Sequence, residues 1–312
     1  MAIGRLRLKE KGYDFPPFRP PSEAYSLLLR VTRGCPWNKC LFCSMYKETS
    51  FEVRTSEEIK SDIMTAANLY GGVARKAFIG DSNSLTVKTD FLIEVLRFLY
   101  QFFPNLERVT SYARAKTIVK KKLEELKELR RAGLIRLHVG LETGDSEILR
   151  FIKKGTTSEE MIEGGLKAKE AGLEVSFYVL LGIGGTQRWR EHADSTVAVL
   201  NIVDPHFVRV RTLIPLPGSP LFEMQRRGEF TLSPPDVILK EEQRIIRGLK
   251  VTSLFLSDHI SNYLPLNGKM PEDKKSLLQT LRRELLRLQD DISKIENYRN
   301  KELLRYFKYC GG

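Results

Sequence analysis

The sequence predicts an α/β fold built on a curved, parallel sheet. Short runs rich in β-branched and aromatic residues alternate with longer segments of helical periodicity, and six such β–helix repeats follow one another from residue 25. This order favours parallel pairing with right-handed crossovers. Because six units are too few to close an eight-stranded barrel, we expect a partial (β/α)6 TIM-like barrel with a mostly helical C-terminal extension. A flat doubly wound sheet is the alternative.

Six segments carry the strand pattern. Each is short and rich in Val, Ile, Phe, Tyr or Thr, the residue types that fit a pleated, half-buried surface. The predicted strands are 25–32, 75–80, 107–113, 135–141, 174–182 and 207–214. In parallel sheets with helical crossovers the chemistry lies where the strands end, so the loops that follow these segments are the places to look for a site.

The helices between the strands have recognisable beginnings and ends. Thr55 with Glu58, and Thr157 with Glu160, have the spacing of a capping box, in which each residue satisfies a backbone N–H of the first helical turn. Gly133 lies at the end of a helical segment and just before a strand, where glycine commonly terminates a helix. These signals divide the chain into discrete helices of ordinary length.

The C-terminal part departs from this alternation, and we predict a core at 1–230 and an extension at 231–312 that covers the barrel mouth. Ser233 and Pro234 are expected to begin a helix, whereas 253–274 has little helical periodicity. The chain then has an amphipathic helix with apolar residues at spacings of three and four. They are Leu278, Leu281, Leu285, Leu288, Ile292 and Ile295. We expect this stripe to pack against the barrel; a homotypic coiled coil is the alternative.

The composition is that of a protein with a substantial core and a basic surface. The 312 residues are 42% hydrophobic, and the formal net charge is +12. Much of the lysine and arginine alternates with glutamate on helical patterns such as "KKKLEELKELRR" at 120–131, which is typical of a solvated helix face. The remaining charge suits a nucleic acid, an anionic lipid surface or a phosphorylated substrate and does not discriminate among them.

The sequence favours a cytoplasmic protein. No window holds 18 consecutive apolar residues, so no membrane span is expected, and the stretch "MAIGRLRLKEKGYDF" is charged where a secretory signal needs an apolar core. In a reducing compartment, clustered cysteines indicate metal binding or redox catalysis rather than a disulfide framework.

Three of the four cysteines lie in one loop, "RVTRGCPWNKCLFCSMYK" at 30–47. Cys35, Cys40 and Cys43 directly follow the first predicted strand. A structural zinc site needs four protein ligands, and all histidines are distant in sequence, so a zinc site would have to be completed from far away. A [4Fe–4S] cluster takes one thiolate per iron, and three cysteines would leave one iron open to a ligand from outside the protein.

Four later stretches accompany this loop at the ends of predicted strands: "FIGDSNSL" (78–85), "GLETG" (140–144), "YVLLGIGG" (178–185) and "RTLIPLPGSPLFE" (211–223). Loop and stretches together resemble the radical S-adenosylmethionine (SAM) superfamily over roughly residues 20–225. "GLETG" is similar to the "GLESG" of methylthiotransferases and of oxygen-independent coproporphyrinogen oxidase-like members. The usual spacing between the cysteines is three residues and then two, whereas this loop has four and two, a CX4CX2C pattern.

The resemblance implies a fold, two cofactors and a reaction. Members of the superfamily have a six-unit partial barrel in which three loop cysteines hold a [4Fe–4S] cluster. The methionine group of SAM chelates the fourth iron, and reductive cleavage of SAM yields a 5′-deoxyadenosyl radical that abstracts hydrogen from substrate. By this resemblance Cys35, Cys40 and Cys43 are the cluster ligands, and a [4Fe–4S] cluster and SAM are the cofactors.

The resemblance also implies roles for single residues. Phe42 matches an aromatic position near the adenine, and Glu142 lies near the ribose or the methionine part, with a capping or salt-bridged glutamate as the alternative. The stretches at 178–185 and 211–223 cradle the adenine with backbone. The segment that holds the methionine amino group departs from the usual Gly-Gly-Glu. Its candidates are Gly80, Asp81, Ser82 and Asn83, of which the glycine permits close approach and Asp81 suits an ammonium.

Two further predictions concern polar residues. Arg114, at the end of the third predicted strand, is placed to clamp the methionine carboxylate or a substrate anion through a bidentate pair, and a rim charge is the alternative. Asp258, His259, Asn262 and Tyr263 mix hydrogen-bonding groups with apolar neighbours and are candidates for a substrate lid, with a packed linker as the alternative.

The expected function is that of a radical SAM enzyme, an anaerobic oxidoreductase or transferase that needs a low-potential electron donor and acts on an unidentified substrate. No cobalamin-binding domain, second cysteine cluster or separate RNA-binding module is evident in the sequence, which argues against a multi-cluster methylthiotransferase. A small molecule is favoured over RNA as the substrate. An RNA-modifying radical SAM enzyme is one alternative. The others are a non-catalytic iron–sulfur protein for electron transfer or redox sensing, and a basic nucleic-acid-binding module with a metal-bound loop.

Overall fold

The computed structural model describes residue 14, residues 18–71 and residues 73–289. Its strands are β1 (Leu27–Arg30), β2 (Thr32–Arg33), β3 (Glu52–Val53), β4 (Lys76–Gly80), β5 (Arg108–Ala113), β6 (Leu134–Glu142), β7 (Glu174–Leu181), β8 (Phe207–Thr212), β9 (Leu254–Ser257) and β10 (Leu266–Lys269). Its α-helices are α1 (Ser56–Tyr70), α2 (Thr89–Phe102), α3 (Ala115–Lys120), α4 (Leu123–Arg131), α5 (Ser146–Phe151), α6 (Ser158–Glu170), α7 (Trp189–Val203), α8 (Pro220–Arg226), α9 (Pro235–Gly248) and α10 (Lys274–Gln289). No helix in this part of the chain is long and apolar enough to cross a bilayer.

The fold is α/β, with a mostly parallel sheet in the order β1-β4-β5-β6-β7-β8-β9-β10, and it matches the predicted partial barrel. All six predicted strands are present, each within two residues of its expected bounds. The sheet has two strands more than the six predicted, because β9 pairs parallel with β8 and β10 pairs antiparallel with β9. Both lie in 253–274, where polar residues among the apolar ones conceal the strand pattern.

The helix caps follow the predictions with one exception. Thr55 and Glu58 form a complete capping box at the start of α1, and Thr157 and Glu160 exchange the same two hydrogen bonds before α6. The prediction that Ser233 caps the next helix is wrong. Helix α9 begins at Pro235, its preceding residue is a second proline without a side-chain cap, and the Ser233 hydroxyl makes no hydrogen bond. Proline suits the first turn because that N–H has no helical partner.

The chain divides into two compact units. The first comprises Met1–Asn38, Met45–Val139 and Glu163–Val175. It contains the parallel ladder from β1 through β4 and β5 to β6, with Ile79 opposite Leu29 and Ser111. Glu23 is fully buried there, accepts a hydrogen bond from Arg108 and lies 3.3 Å from His138 Nε2. This cluster attaches the segment before β1 to β5 and β6.

The second unit comprises Lys39–Ser44, Gly140–Ile162 and Ser176–Gly312. Helix α10 packs there against α9 and β10, with Leu277, Leu281 and Leu288 buried. Ile292 and Ile295 of the predicted stripe lie outside the described residues. The predicted division into a core and an extension at residue 230 does not coincide with a boundary between these two compact units. It stays a prediction.

Candidate functional site

The cysteine loop begins directly after β2. Gly34 has φ 76°, and an added Cβ would lie 2.8 Å from the Ser50 carbonyl oxygen, so only glycine fits this turn. Cys35 belongs to the first unit, and Cys40 and Cys43 belong to the second. All three thiols are half-buried and none forms a disulfide, and the Asn38 N–H donates to Cys35 Sγ at 3.3 Å.

The donor set of this loop fits an iron–sulfur cluster better than a single metal ion. Across the described ranges, no three His, Cys, Asp or Glu side chains are arranged to hold one metal ion. In a [4Fe–4S] cluster each thiolate binds a different iron, so its ligands do not need to converge on one atom. Three thiols in one loop, outside any disulfide and without a fourth protein ligand among the described residues, suit a cluster that keeps one iron open.

Asp81 of the 80–83 segment lies at the end of β4 in a buried ion pair. Its side chain is 0% exposed, and Arg30 Nη2 donates to Oδ2 at 3.0 Å, while the Tyr46 hydroxyl lies 3.4 Å from Oδ1. Burial raises the pKa of Asp81, and the Arg30 guanidinium opposes that rise. Asp81 therefore holds the ends of β1 and β4 together, and its predicted contact with the methionine ammonium stays a prediction.

Asn83 connects the 80–83 segment to Arg114. Asn83 Oδ1 accepts from the Arg114 N–H at 3.1 Å, and its Nδ2 donates to Thr117 Oγ1 at 2.8 Å. The Arg114 guanidinium stacks on the Trp37 ring at 5.0 Å from its centroid, which places it beside the cysteine loop. Ser82, half-buried, donates to the Gly34 carbonyl at 3.2 Å, whereas Gly80 is buried at the strand end.

In the second unit, a lysine brings Phe42 and Glu142 together. Lys154 Nζ lies 2.6 Å from Glu142 Oε1 and 5.5 Å from the centroid of the Phe42 ring. A Cβ on Gly140 would overlap Glu142 Oε1 and lie 2.8 Å from Lys154 Nζ, so the glycine provides the space for this ion pair. Glu142 is thus salt-bridged, and its predicted place near the ribose stays a prediction. Sequence reasoning missed Lys154, since nothing in "RFIKKG" signals a contact across helix α5.

The turn after β6 is fixed by hydrogen bonds. The Gly144 N–H donates to Thr196 Oγ1 at 2.9 Å, and Asp145 caps α5 by accepting from the Ile148 N–H at 2.8 Å. Burial alone would raise the pKa of Asp145, but hydrogen bonds from Arg188 and from Ile148 lower it overall. A contact with α7 therefore fixes Gly144 at the end of the "GLETG" stretch, and the residue that follows the stretch caps α5.

A family model described as the radical SAM superfamily matches residues 29–195, which is more than half of the chain. The match covers the cysteine loop, the 80–83 segment, Arg114 and "GLETG". The chain belongs to the radical SAM superfamily. It is accordingly a radical SAM enzyme, and the prediction from the sequence is confirmed.

Known relatives of this radical SAM enzyme share only part of their length with it. A tRNA uridine(34) acetyltransferase of Methanocaldococcus jannaschii is 29% identical over 34% of this chain and 20% of its own length. An uncharacterized methyltransferase of Pyrococcus horikoshii is 25% identical over 63% of this chain, which spans 41% of that protein. A solved structure with a similar fold is that of the radical SAM methyltransferase TsrM from Kitasatospora setae, with cobalamin and a [4Fe–4S] cluster bound. Its TM-score is 0.53 and its sequence identity 19%, and the match covers 65% of this chain and 39% of that one. That likeness shows the fold.

The four candidate lid residues of this radical SAM enzyme have unequal positions between β9 and β10. Asn262 is buried, donates through Nδ2 to the Val210 carbonyl at 2.9 Å and to Ser257 Oγ at 2.8 Å, and accepts from Thr212 Oγ1 at 3.1 Å. Asp258 is exposed, and His259 and Tyr263 are half-buried. Asn262 thus anchors the connection to β8 and β9, and the lid stays a prediction.

Proposed function

We propose that Cys35, Cys40 and Cys43 hold a [4Fe–4S] cluster with which this enzyme uses SAM. The observation that carries the proposal is the family match across a loop with three half-buried thiols that form no disulfide and have no fourth protein ligand within the described ranges. With an external electron, the cluster and SAM would supply a 5′-deoxyadenosyl radical that takes hydrogen from the substrate. The low-potential electron donor is part of the proposal, and so is a reducing, cytoplasmic setting.

The residues around the strand ends would bind and orient SAM. We assign Phe42 to the adenine, Glu142 to the ribose or methionine part, and Arg114 to the methionine carboxylate. Asp81 already has Arg30 as its counterion, so Ser82 and the strand-end carbonyl groups around it are the better acceptors for the methionine ammonium. Arg30 and Asp81 would then position that segment rather than contact the cofactor.

A small molecule is the favoured substrate, and RNA is the second candidate. The observation that favours RNA is the relative named as a tRNA uridine(34) acetyltransferase, together with the net charge of +12. That relative matches only 34% of this chain, so its substrate is weak evidence for this one. A salt-dependent mobility shift on tRNA would support the second candidate.

Anaerobic reconstitution with iron and sulfide tests the cluster ligands directly. The wild type should bind about four irons per chain and, with dithionite and SAM, release 5′-deoxyadenosine. Cys40→Ala should lose most of the iron and all of the product, whereas Cys310→Ala, which removes the one cysteine outside the loop, should behave as the wild type.

Equal iron content in Cys40→Ala and Cys310→Ala would overturn the ligand assignment. A full cluster in the wild type without 5′-deoxyadenosine calls for a binding titration with SAM. Failure to bind SAM would overturn the proposed chemistry, whereas binding without cleavage would show that cleavage waits for the substrate.

A further inference from the structure

In the second unit, strand β8 has an apolar face, which continues on β9, and a second face that carries two arginines. Side chains alternate along each strand, and Val208, Val210 and Phe255 are fully buried on the face that helix α9 covers, where Glu242 hydrogen-bonds Ser257. The alternate residues of β8 are Phe207, Arg209 and Arg211, and all three are half-buried. This second face therefore carries two guanidinium groups on one strand.

Aromatic rings support both arginines. Tyr178 lies opposite Arg209 in the β7–β8 ladder, and the Arg211 guanidinium lies over the Tyr178 ring at 4.9 Å from its centroid. The Arg209 guanidinium lies 5.7 Å from the centroid of the Phe207 ring. Ring faces orient a guanidinium and leave its N–H donors at the edge available.

Within the part of the chain that the structure describes, neither arginine has a carboxylate partner, and Arg209 Nε is buried with no hydrogen-bond acceptor. Six other arginines with buried or half-buried side chains each pair with an aspartate or glutamate. These are Arg30, Arg33, Arg54, Arg108, Arg136 and Arg188. A partly buried cation without a counterion is costly, and such sites are commonly functional.

His259, from the connection after β9, adds a neutral donor near Arg211. The Ser261 N–H donates to His259 Nδ1 at 3.1 Å, and the Ser261 hydroxyl lies 2.8 Å from the same nitrogen, so the ring proton belongs on Nε2. Burial lowers the pKa of His259 to about 3, and the positive charge of Arg211 contributes to this decrease. A neutral imidazole can stand beside a guanidinium without repulsion and still donate a hydrogen bond.

We propose that Arg209, Arg211 and His259 bind an acidic group of the substrate, a carboxylate or a phosphate. The inference rests on the proposed function, since it names the substrate class of that enzyme. Residues two apart on a strand lie roughly 7 Å apart on the same face, so both side chains can reach one acidic group or the two ends of a diacid, and guanidinium forks bind acidic oxygens in pairs. The net charge of +12 would attract an anionic substrate to the protein.

The methionine carboxylate of SAM offers the same chemistry, so the experiment must separate two sources. We compare wild type, the double variant Arg209→Gln/Arg211→Gln, and Arg282→Gln, an exposed arginine of α10, as the control. Each is titrated calorimetrically with SAM alone, and then with inorganic phosphate and with succinate in the presence of saturating SAM. Arg211→Lys keeps the charge without the fork and serves if the double variant does not fold.

Wild type and Arg282→Gln should bind at least one of the two anions, and the double variant should lose at least tenfold in that affinity; Arg211→Lys should lose part of it. Affinity for SAM should stay within tenfold of the wild type, because the stretch at 211–223 is expected to contact the adenine through backbone and not through the Arg211 side chain. Failure of the wild type to bind either anion, or equal anion binding by the double variant, would overturn the proposal. So would a tenfold loss of SAM affinity, which would assign the pair to the methionine carboxylate. A wild type without iron or 5′-deoxyadenosine would instead count against the proposed function, because anion binding is measured separately.

Discussion

Two carboxylate residues at strand ends have a backbone conformation that side chains rarely adopt. Asp81 has φ 64° and Glu142 has φ 60°, and each forms an ion pair, with Arg30 and Lys154 respectively. Positive φ costs of order 1 kcal/mol or more, and it persists where surrounding contacts fix it. Both acids are predicted from the resemblance of "FIGDSNSL" and "GLETG" to strand-end stretches of the superfamily. The sequence did not reveal their partners, since Arg30 is 51 residues from Asp81 and pairing over such distances leaves no local pattern.

We predict that Gly144→Ala will be strongly destabilising. Gly144 packs against the backbone of α7, and a Cβ would overlap the Ser195 carbonyl oxygen and lie 2.5 Å from its carbon. Backbone cannot yield as a flexible side chain can, so we expect a loss of about 3 kcal/mol or more in the free energy of unfolding, measured by urea denaturation.

Gly228→Ala is the matched control for that measurement. Gly228 has φ 75°, but nothing lies within 4 Å of an added Cβ. Its substitution should cost only the backbone strain, about 1–2 kcal/mol. Equal losses in the two variants would show that the close approach at Ser195 does not explain the glycine of "GLETG".

At the scale of elements, the regular α/β core could be predicted and its edge could not. The six parallel strands are short runs rich in β-branched and aromatic residues between segments of helical periodicity, which is a strong local signal. β9 and β10 are only four residues each, and a buried serine, Ser257, occupies a core-facing position of β9. A buried serine at such a position is explained only by its hydrogen-bond partner. Here the partner is Asn262, which lies on the connection after β9.

We predict that Asn262→Ala will loosen the connection between β9 and β10. The change removes the acceptor of the Thr212 hydroxyl and the donor to the Val210 carbonyl and Ser257, leaving buried polar groups without partners. The free energy of unfolding should fall by about 2–3 kcal/mol. Amide hydrogen exchange should accelerate in 258–265.

Asn105→Ala, at an exposed turn, is the control and should change stability by less than about 0.5 kcal/mol. If exchange in 258–265 is the same in Asn262→Ala and in wild type, other contacts hold this connection and the anchoring role is wrong.

At the scale of the whole molecule, buried acids should govern the response of stability to pH. Glu242 of α9 is buried, and burial raises its pKa to about 7. Burial also raises the pKa of Glu241 well above its ordinary value and lowers the pKa of His192 to about 4, and Glu241 Oε1 lies 3.2 Å from His192 Nε2. Helix α9 therefore carries two acids that favour the neutral form in the folded state.

We predict that Glu242→Gln will flatten part of the pH profile. The folded state binds the Glu242 proton more tightly than the unfolded state, whose pKa is near 4.5, so wild-type stability should fall as the pH rises from 4.5 to 7. The variant lacks this term, while His192 affects both proteins alike. The stability of the variant relative to wild type should rise by about 3 kcal/mol between pH 4 and pH 8.

Thermal or urea unfolding across that range measures the difference, with Glu48→Gln on the surface as the control. Parallel pH profiles for wild type and Glu242→Gln would mean that Glu242 is already ionised in the folded protein at low pH.

Fold class and family could both be read from the sequence, because they depend on local patterns: strand and helix periodicity and the cysteine loop. The basic face of β8 could not. "FVRVRT" gives the alternation of Arg209 and Arg211, but an unpartnered arginine is recognisable only when all its neighbours are known. For the same reason Asp81 could be predicted as an acceptor, while its ion pair with Arg30 could not.

The antiparallel strand β10 also protects the protein against aggregation. It is the last strand of the sheet in the described part of the chain, and it is only four residues long. Its Asn267 and Lys269 are exposed, and Lys269 Nζ lies 2.9 Å from Glu272. Short edge strands that carry charge resist pairing with a strand of another molecule. Without β10, the more apolar β9, with Leu254 and Leu256, would become the edge. The concentrated samples that anaerobic work demands should therefore remain monodisperse only while this strand is intact.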